Sequence, residues 1–338
     1  MTSNSTAPLA TGLAASFPWL VADIGGSNAR FGLILQKDMV VQHVKTIPVI
    51  SHTDTVSAAR AYLGDIAQLL GEHYKAPRKA AFAVATAVAG DKIEFTNSHW
   101  SFSRSAVQAE LNLETFLVLN DFEALALSLP RLNASQLRAH TQLPNPAGTL
   151  AVIGPGTGLG VGAVIETPMG WVALPGEGGH ATLAATNDFE GALLSHVRKS
   201  FAHVSAERLL SGIGLPVLHG AVAHVRGIAS DTLSAEMIVE RGLNGSDAIC
   251  SETIDTFCAM LGSFAGSVAL TLGARGGIYI GGGIVPRLGE RFFTSQFRER
   301  FEAKGRFQAY LKGIPTALIT DTLAALTGTA LAIEQSER

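Results

Sequence analysis

The run Trp19-Leu-Val-Ala-Asp-Ile24 leads directly into Gly25-Gly26-Ser27-Asn28-Ala29-Arg30, an apolar β-type stretch that ends in a glycine turn. The same plan recurs at Leu150-Ala-Val-Ile153, followed by Gly154-Pro155-Gly156-Thr157-Gly158-Leu159-Gly160. Glycine lets a turn present backbone N–H groups to an anion without side-chain interference. Ser27 and Thr157 add hydroxyl donors, and Asp23 is a candidate ligand for a hydrated cation. Two such cradles in one chain predict a single nucleotide clamped between two domains. A third strand-end glycine loop, Gly281-Gly282-Gly283, follows Ile278-Tyr279-Ile280. None contains the Gly-Lys-Ser/Thr of a P-loop, and the GxGxxG spacing of a dinucleotide loop is absent.

Around these loops the chain reads as an α/β protein. Strands are expected at Trp19–Ile24, residues 29–35 and residues 39–47. A helix at residues 51–73 with Thr53 or Asp54 as N-cap comes next, then strands at residues 79–85 and 115–119. The last two are near-continuous apolar runs, as in strands covered on both faces. A short helix is expected from Asp121 to the residue before Pro130. Residues 130–148, with Pro130, Pro144, Pro146 and Gly148, read as a hinge. Strands are expected again at residues 150–153, 160–165 and 171–174, helices from Asp188 to Leu272, strands at Gly277–Ile280 and residues 317–320, and a closing helix over residues 321–334. The repeated strand, glycine turn and strand plan suggests a duplicated fold.

At 338 residues with 47% hydrophobic content, the chain is long enough for two cores. A formal net charge of -3, without runs of Lys or Arg, argues against nucleic acid as a partner. Residues 1–16 lack Lys and Arg, so they do not read as a signal or transit peptide but as a flexible tail. No uncharged run reaches membrane-spanning length, and residues 261–272, broken by Gly262, Gly266 and Ser267, read as a buried helix. Cys250 and Cys258 match neither a redox pair nor a zinc knuckle and read as buried thiols. None of the ten histidines has HExxH spacing, so no zinc site is indicated. His52, His73, His140, His196 and His219 read as surface or satisfied histidines.

Among candidate site residues, Asn120-Asp121 stands at a strand end and a helix start. Asp121 is therefore a candidate base, although the pair is also ordinary N-cap chemistry. Glu177 and His180 lie on the glycine-crowded loop Leu174-Pro-Gly-Glu-Gly-Gly-His180, where packing assigns them no task. Glu207, two residues after Ser205, reads on its own as helix-start chemistry. Asn97, in the loop before Trp100, reads as a structural hydrogen-bonding residue.

Taken together, Asp23 to Arg30, Thr96-Asn-Ser-His-Trp100, Asn120-Asp121-Phe122, Gly154 to Gly160, Leu174 to His180, His203 to Gly212, Gly281-Gly-Gly-Ile-Val-Pro286 and Lys304-Gly-Arg-Phe307 resemble the bacterial glucokinase family. The zinc-binding cysteine motif of the related ROK group is missing, so the likeness is to the zinc-free glucokinases. Ser27 stands where the family often has Thr, and residues 323–329 are less glycine-rich than its usual turn. The resemblance implies a two-domain actin/hexokinase-like fold, ribonuclease H-like, with the active site in the interdomain cleft. Residues 18–131 plus 320–338 would form a small α/β domain and residues 132–319 a large one, after a tail at 1–17. It implies phosphorylation of D-glucose at the 6-hydroxyl by ATP and Mg2+, in the cytoplasm, by a homodimer. Asn120, Asp121, Glu177, His180 and Glu207 would ring the sugar, with Asp121 as base. The phosphates would lie on Gly25, Gly26, Ser27, Asn28, Gly156, Thr157, Gly158 and Gly281 to Gly283, and Asp23 would reach the magnesium through water. Alternatives are a kinase for another hexose, such as fructose or mannose, or a sensor of the same fold without turnover.

Overall fold

The computed structural model describes residues 17–95, 98–229 and 231–337. The expected tail over residues 1–16, together with Thr96 and Asn97, lies outside them. Strand β1 (Trp19–Ile24) turns through the glycine loop into β2 (Asn28–Ile34) and then β3 (Val41–Pro48). Helix α1 (Thr55–Leu70) starts at Asp54, whose carboxylate accepts from Ser57 N at 2.7 Å in a capping box. Next come β4 (Lys79–Val84), the two-stranded ribbon β5 (Lys92–Glu94) and β6 (Ser101–Ser103), α2 (Arg104–Glu110), β7 (Thr115–Asn120) and α3 (Asp121–Ser128). The sequence predicts neither strand of this ribbon, because three-residue strands are too short to show a period.

A short strand β8 (Leu137–Ala139) then precedes β9 (Thr149–Pro155), β10 (Leu159–Thr167) and β11 (Gly170–Leu174). The segment read as a hinge is therefore tied down, since β8 pairs antiparallel with a strand almost two hundred residues later. Helices α4 (Asp188–Val197), α5 (Leu215–Arg226), α6 (Ala235–Asn244) and α7 (Ala248–Leu272) follow. The chain closes with β12 (Gly277–Ile280), α8 (Ile284–Leu288), α9 (Glu290–Thr294), α10 (Phe297–Glu302), α11 (Gln308–Lys312), β13 (Thr316–Ile319) and α12 (Ala324–Ser336). At 25 residues α7 is long and apolar enough to cross a membrane, but it is mostly buried inside the protein, as a core helix is.

Two sheets organise these elements. The first runs β3-β2-β1-β4-β7 and the second β11-β10-β9-β12-β13-β8. In each, an antiparallel hairpin leads to a central strand with two parallel neighbours, β1, β4 and β7 in one and β9, β12 and β13 in the other. The strand order thus repeats, matching the weak internal echo of the sequence. One core lies on the outer face of the first sheet, around Phe31, Tyr62 and Phe82, and another under the helices of the second, around Phe257, Phe292 and Phe297. A third joins the two sheets: Trp19 and Val21 of β1 share a cluster with Val152 of β9 and Tyr279 of β12, and α3 and α12 fill the layer between.

In that layer backbones approach closely because side chains are absent. A Cβ on Gly160 would fall 2.0 Å from the Phe122 ring, and one on Gly162 would fall 2.5 Å from the Phe122 carbonyl oxygen. On the other side of α3, a Cβ on Gly328 of α12 would meet the Ala124 carbonyl oxygen at 1.7 Å. Overpacking of this kind typically costs about 1–3 kcal/mol. Gly328→Ala, which meets fixed backbone, should destabilise the protein by that amount or more in denaturant unfolding. Gly64→Ala, in open space on the exposed side of α1, should be neutral to stabilising.

Candidate active site

Strand register sets the site. Ile24, Val84 and Asn120 are aligned at the C-terminal ends of three parallel strands. The Asp23 to Asn28 loop and the Asn120-Asp121 pair therefore leave one edge of the sheet, separated by β4 alone. In α/β sheets this edge is where ligands bind. The second sheet repeats the device: Ile280 pairs with Ile153, so the loops at 154–160 and 281–283 leave its corresponding edge together. Phe122, directly after the Asn120-Asp121 pair, packs on Gly154 and Gly160 and so joins the two sheets at these edges.

Asn120 caps α3, its Oδ1 accepting from Phe122 N at 2.9 Å while its Nδ2 donates to the Thr86 carbonyl at 3.2 Å. Asn120 is thus an N-cap, as its local sequence predicts. Asp121 is the first residue of the helix, and its Oδ1 accepts from Phe122 N at 3.0 Å. Burial, with smaller contributions from the charges of Asp23 and Glu177, raises its carboxyl to about 7 against the pull of the Phe122 N–H. Burial also raises Asp23, and Arg30, its partner across the β1–β2 hairpin, opposes the shift. Arg30 in turn donates to the Thr322 carbonyl at 2.6 Å, linking this sheet to the start of α12.

In the first loop Gly25 N donates to the Asn28 carbonyl at 2.9 Å, closing a tight turn with Ser27 and Asn28 exposed beside Gly26. In the second, Gly156 N donates to the Gly158 carbonyl at 2.9 Å and Thr157 is exposed. A Cβ on Gly156 would meet nothing within 4 Å, whereas one on Gly158 would strike the Glu207 carboxylate at 2.4 Å. Gly282, at φ +75°, lies against the Pro155 carbonyl and locks the third loop onto the second; Gly281 is bonded to Ile153, and Gly283 faces open space.

Glu177 and His180 are exposed on their loop, and Glu207 ties that loop to the second glycine turn. Its Oε2 accepts from Leu159 N at 2.9 Å, its own N–H donates to the Gly179 carbonyl at 2.9 Å, and its Oε1 lies 4.0 Å from His180 Nδ1. Ser205 does start a turn here, accepting from Arg208 N, but the Glu207 side chain leaves it for the neighbouring loop. Behind the loop is an apolar cavity of about 330 Å³, lined by Gly176, Val161 and Phe264 among others.

The role of Phe122 is missed by reading motifs alone. Its signal is the glycine at every second position from 154 to 162, since a period of two strips one face of a hairpin of side chains.

The glucokinase family model matches residues 20–336 of this chain. The chain belongs to the glucokinase family. A glucokinase of Chromobacterium violaceum is 47% identical over 323 residues, covering 95% of this chain and 91% of that one. One from Aromatoleum aromaticum is 46% identical, covering 96% and 97%. The crystal structure of glucokinase from an Antarctic psychrotroph superposes with a TM-score of 0.85 at 36% identity, covering 94% and 98%. A ROK family glucokinase from Streptomyces griseus, solved in complex with glucose and AMPPNP, gives a TM-score of 0.62 at 17% identity, covering 94% and 99%, and shares the fold. The actin/hexokinase-like fold class follows from these neighbours.

The raised Asp121 carboxyl gives a direct prediction. In the ligand-free protein a carboxyl signal in carbon NMR should titrate near pH 7 and vanish in Asp121→Asn. Glu177→Gln removes one of the charges that raise it, so the midpoint should move to lower pH. An unmoved midpoint would separate Glu177 from the site.

Proposed function

We propose that the protein transfers the γ-phosphoryl group of ATP to the 6-hydroxyl of D-glucose, giving glucose 6-phosphate and ADP. The observation that carries this reading is the convergence of a half-buried Asp121 carboxyl, raised to about 7, with Asp23 and Glu177 beside two glycine turns. A base with that affinity for a proton is matched to neutral pH. Asp121 accepts the proton of the 6-hydroxyl as that oxygen bonds to the γ-phosphorus. The bond to the bridging oxygen breaks, and ADP leaves with its electron pair.

The residues present fit the partners. Asn120, Glu177, His180 and Glu207 offer donors and acceptors for the remaining hydroxyls, a pattern that penalises an inverted or missing one. The turns at Gly25 to Asn28 and Gly156 to Gly158, with the loop at Gly281 to Gly283, offer backbone N–H groups to phosphate oxygens. The carboxylate of Asp23, with Arg30 as its cationic neighbour, suits a hydrated divalent cation. When bound, magnesium neutralises charge on the phosphates, and Asp23 holds it through water. In this reading residues 18–131 plus 320–338 form one domain and residues 132–319 the other, and their closure excludes water. By kinship with the bacterial glucokinases we extend the proposal to a cytoplasmic homodimer that feeds glycolysis.

Asp121→Asn keeps hydrogen bonding but takes no proton, so turnover should fall by about 10²–10⁴-fold while glucose still quenches intrinsic fluorescence. Near wild-type turnover would remove Asp121 from the base role. Gly156→Val places its side chain in open space, so folding should be unchanged. In a coupled assay its KM for ATP should rise at least about tenfold with little change in glucose binding, because the added carbon atoms occupy the approach to the backbone N–H groups. An unchanged ATP constant would make this turn structural.

A further inference from the structure

Away from this site, the structure corrects the reading of the histidines. His219 is only 3% exposed on α5, and its Nε2 has no hydrogen-bond partner; His140 and His196 also carry buried, unpartnered ring nitrogens. Among the described residues, only His219 belongs to a group of three metal-binding side chains. One ligand atom each from His219, Asp247 and Cys250 lies within 4.8 Å of the other two. Sequence spacing conceals the cluster, because α5 contributes the histidine while Asp247 and Cys250 come from the start of α7.

We propose that His219, Asp247 and Cys250 form a zinc-binding site that ties α5 to the start of α7. The donor set of imidazole, carboxylate and thiolate suits zinc better than the hard cations. Asp247 caps α7 through Oδ1, which accepts from Ile249 N at 2.9 Å and Cys250 N at 3.0 Å. That leaves Oδ2 for a metal and fixes the carboxylate's orientation, the task an outer-shell hydrogen bond performs at such sites. Zinc bonds of about 2.0–2.3 Å put neighbouring tetrahedral ligands roughly 3.5 Å apart, so small side-chain rotations close the set. The Cys250 proton leaves to solvent on binding, and the thiolate and carboxylate balance the two charges of zinc; Arg241 on α6 is the cation nearby. A water completes the fourth position.

The location gives the site a consequence. The segment before α5 hydrogen-bonds the second glycine turn, Gly212 N to the Gly156 carbonyl at 2.8 Å and Ile213 N to the Thr157 carbonyl at 3.3 Å. A metal that fixes α5 on α7 therefore steadies the support of that turn. The site uses none of the residues of the cysteine motif that marks the ROK relatives, which this chain lacks.

Purified protein dialysed against buffered zinc should retain one zinc per chain by elemental analysis and melt at a higher temperature than the chelator-treated protein. Cobalt in its place should give a near-ultraviolet thiolate-to-cobalt band. Cys250→Ser should abolish the band and Cys258→Ser should leave it intact. His219→Gln, checked for folding by circular dichroism, should weaken zinc binding at least about 100-fold, more than loss of an outer-shell partner costs. A folded wild-type protein with no thiolate-to-cobalt band, or with a melting temperature unmoved by zinc, overturns the proposal: the cluster is then only a helix cap with a thiol donating to Asp247.

Discussion

Helix α3 lies in a slot from which side chains have been removed on both sides, and most of the site depends on that fit. Gly160 and Gly162 let Phe122 lie flat against β10, and Gly328 lets α12 cross at backbone distance. Interiors are packed too tightly to absorb an extra methyl group there without displacement. The first residue of α3 is Asp121, so the same contact that joins the sheets also fixes this carboxylate, within reach of the charges of Asp23 and Glu177.

The electrostatics follow from the packing. Asp23 and Asp121 share one space, burial makes their charges expensive, and the charge of Glu177 adds to the cost at Asp121. A carboxyl held near 7 means that the native state binds a proton more firmly than the unfolded chain does. The contribution of Asp121 to stability is therefore largest below the ordinary carboxylate range and is lost as pH rises toward 7. A cation or a hydrogen-bond donor entering the cleft reverses this penalty. The site thus holds its charges at a cost, as sites with perturbed carboxyls do.

Much of this was legible in the sequence. The glycine turns after Ile24 and Ile153, the strands that feed them and the Asn120-Asp121 junction follow from local pattern, because a strand end and a turn need only neighbours. Glu207 was not legible from its residues: its partner Leu159 is 48 positions away, and its local sequence describes a turn instead. The β5–β6 ribbon and β8 escaped because short strands take their stability from partners rather than from periodicity. The His219, Asp247 and Cys250 cluster escaped because two helices supply it. Phe122 is an intermediate case, since the alternate glycines stated that something large lies on the hairpin but not what.

Glucose-dependent release of ADP, with the product identified by phosphorus NMR, is the most direct measurement. With Mg·ATP, glucose should yield ADP and glucose 6-phosphate in equal amounts, and hexoses with an inverted hydroxyl should react markedly more slowly. A folded protein that binds glucose and ATP yet releases no ADP above the sugar-free rate would contradict phosphoryl transfer at this site.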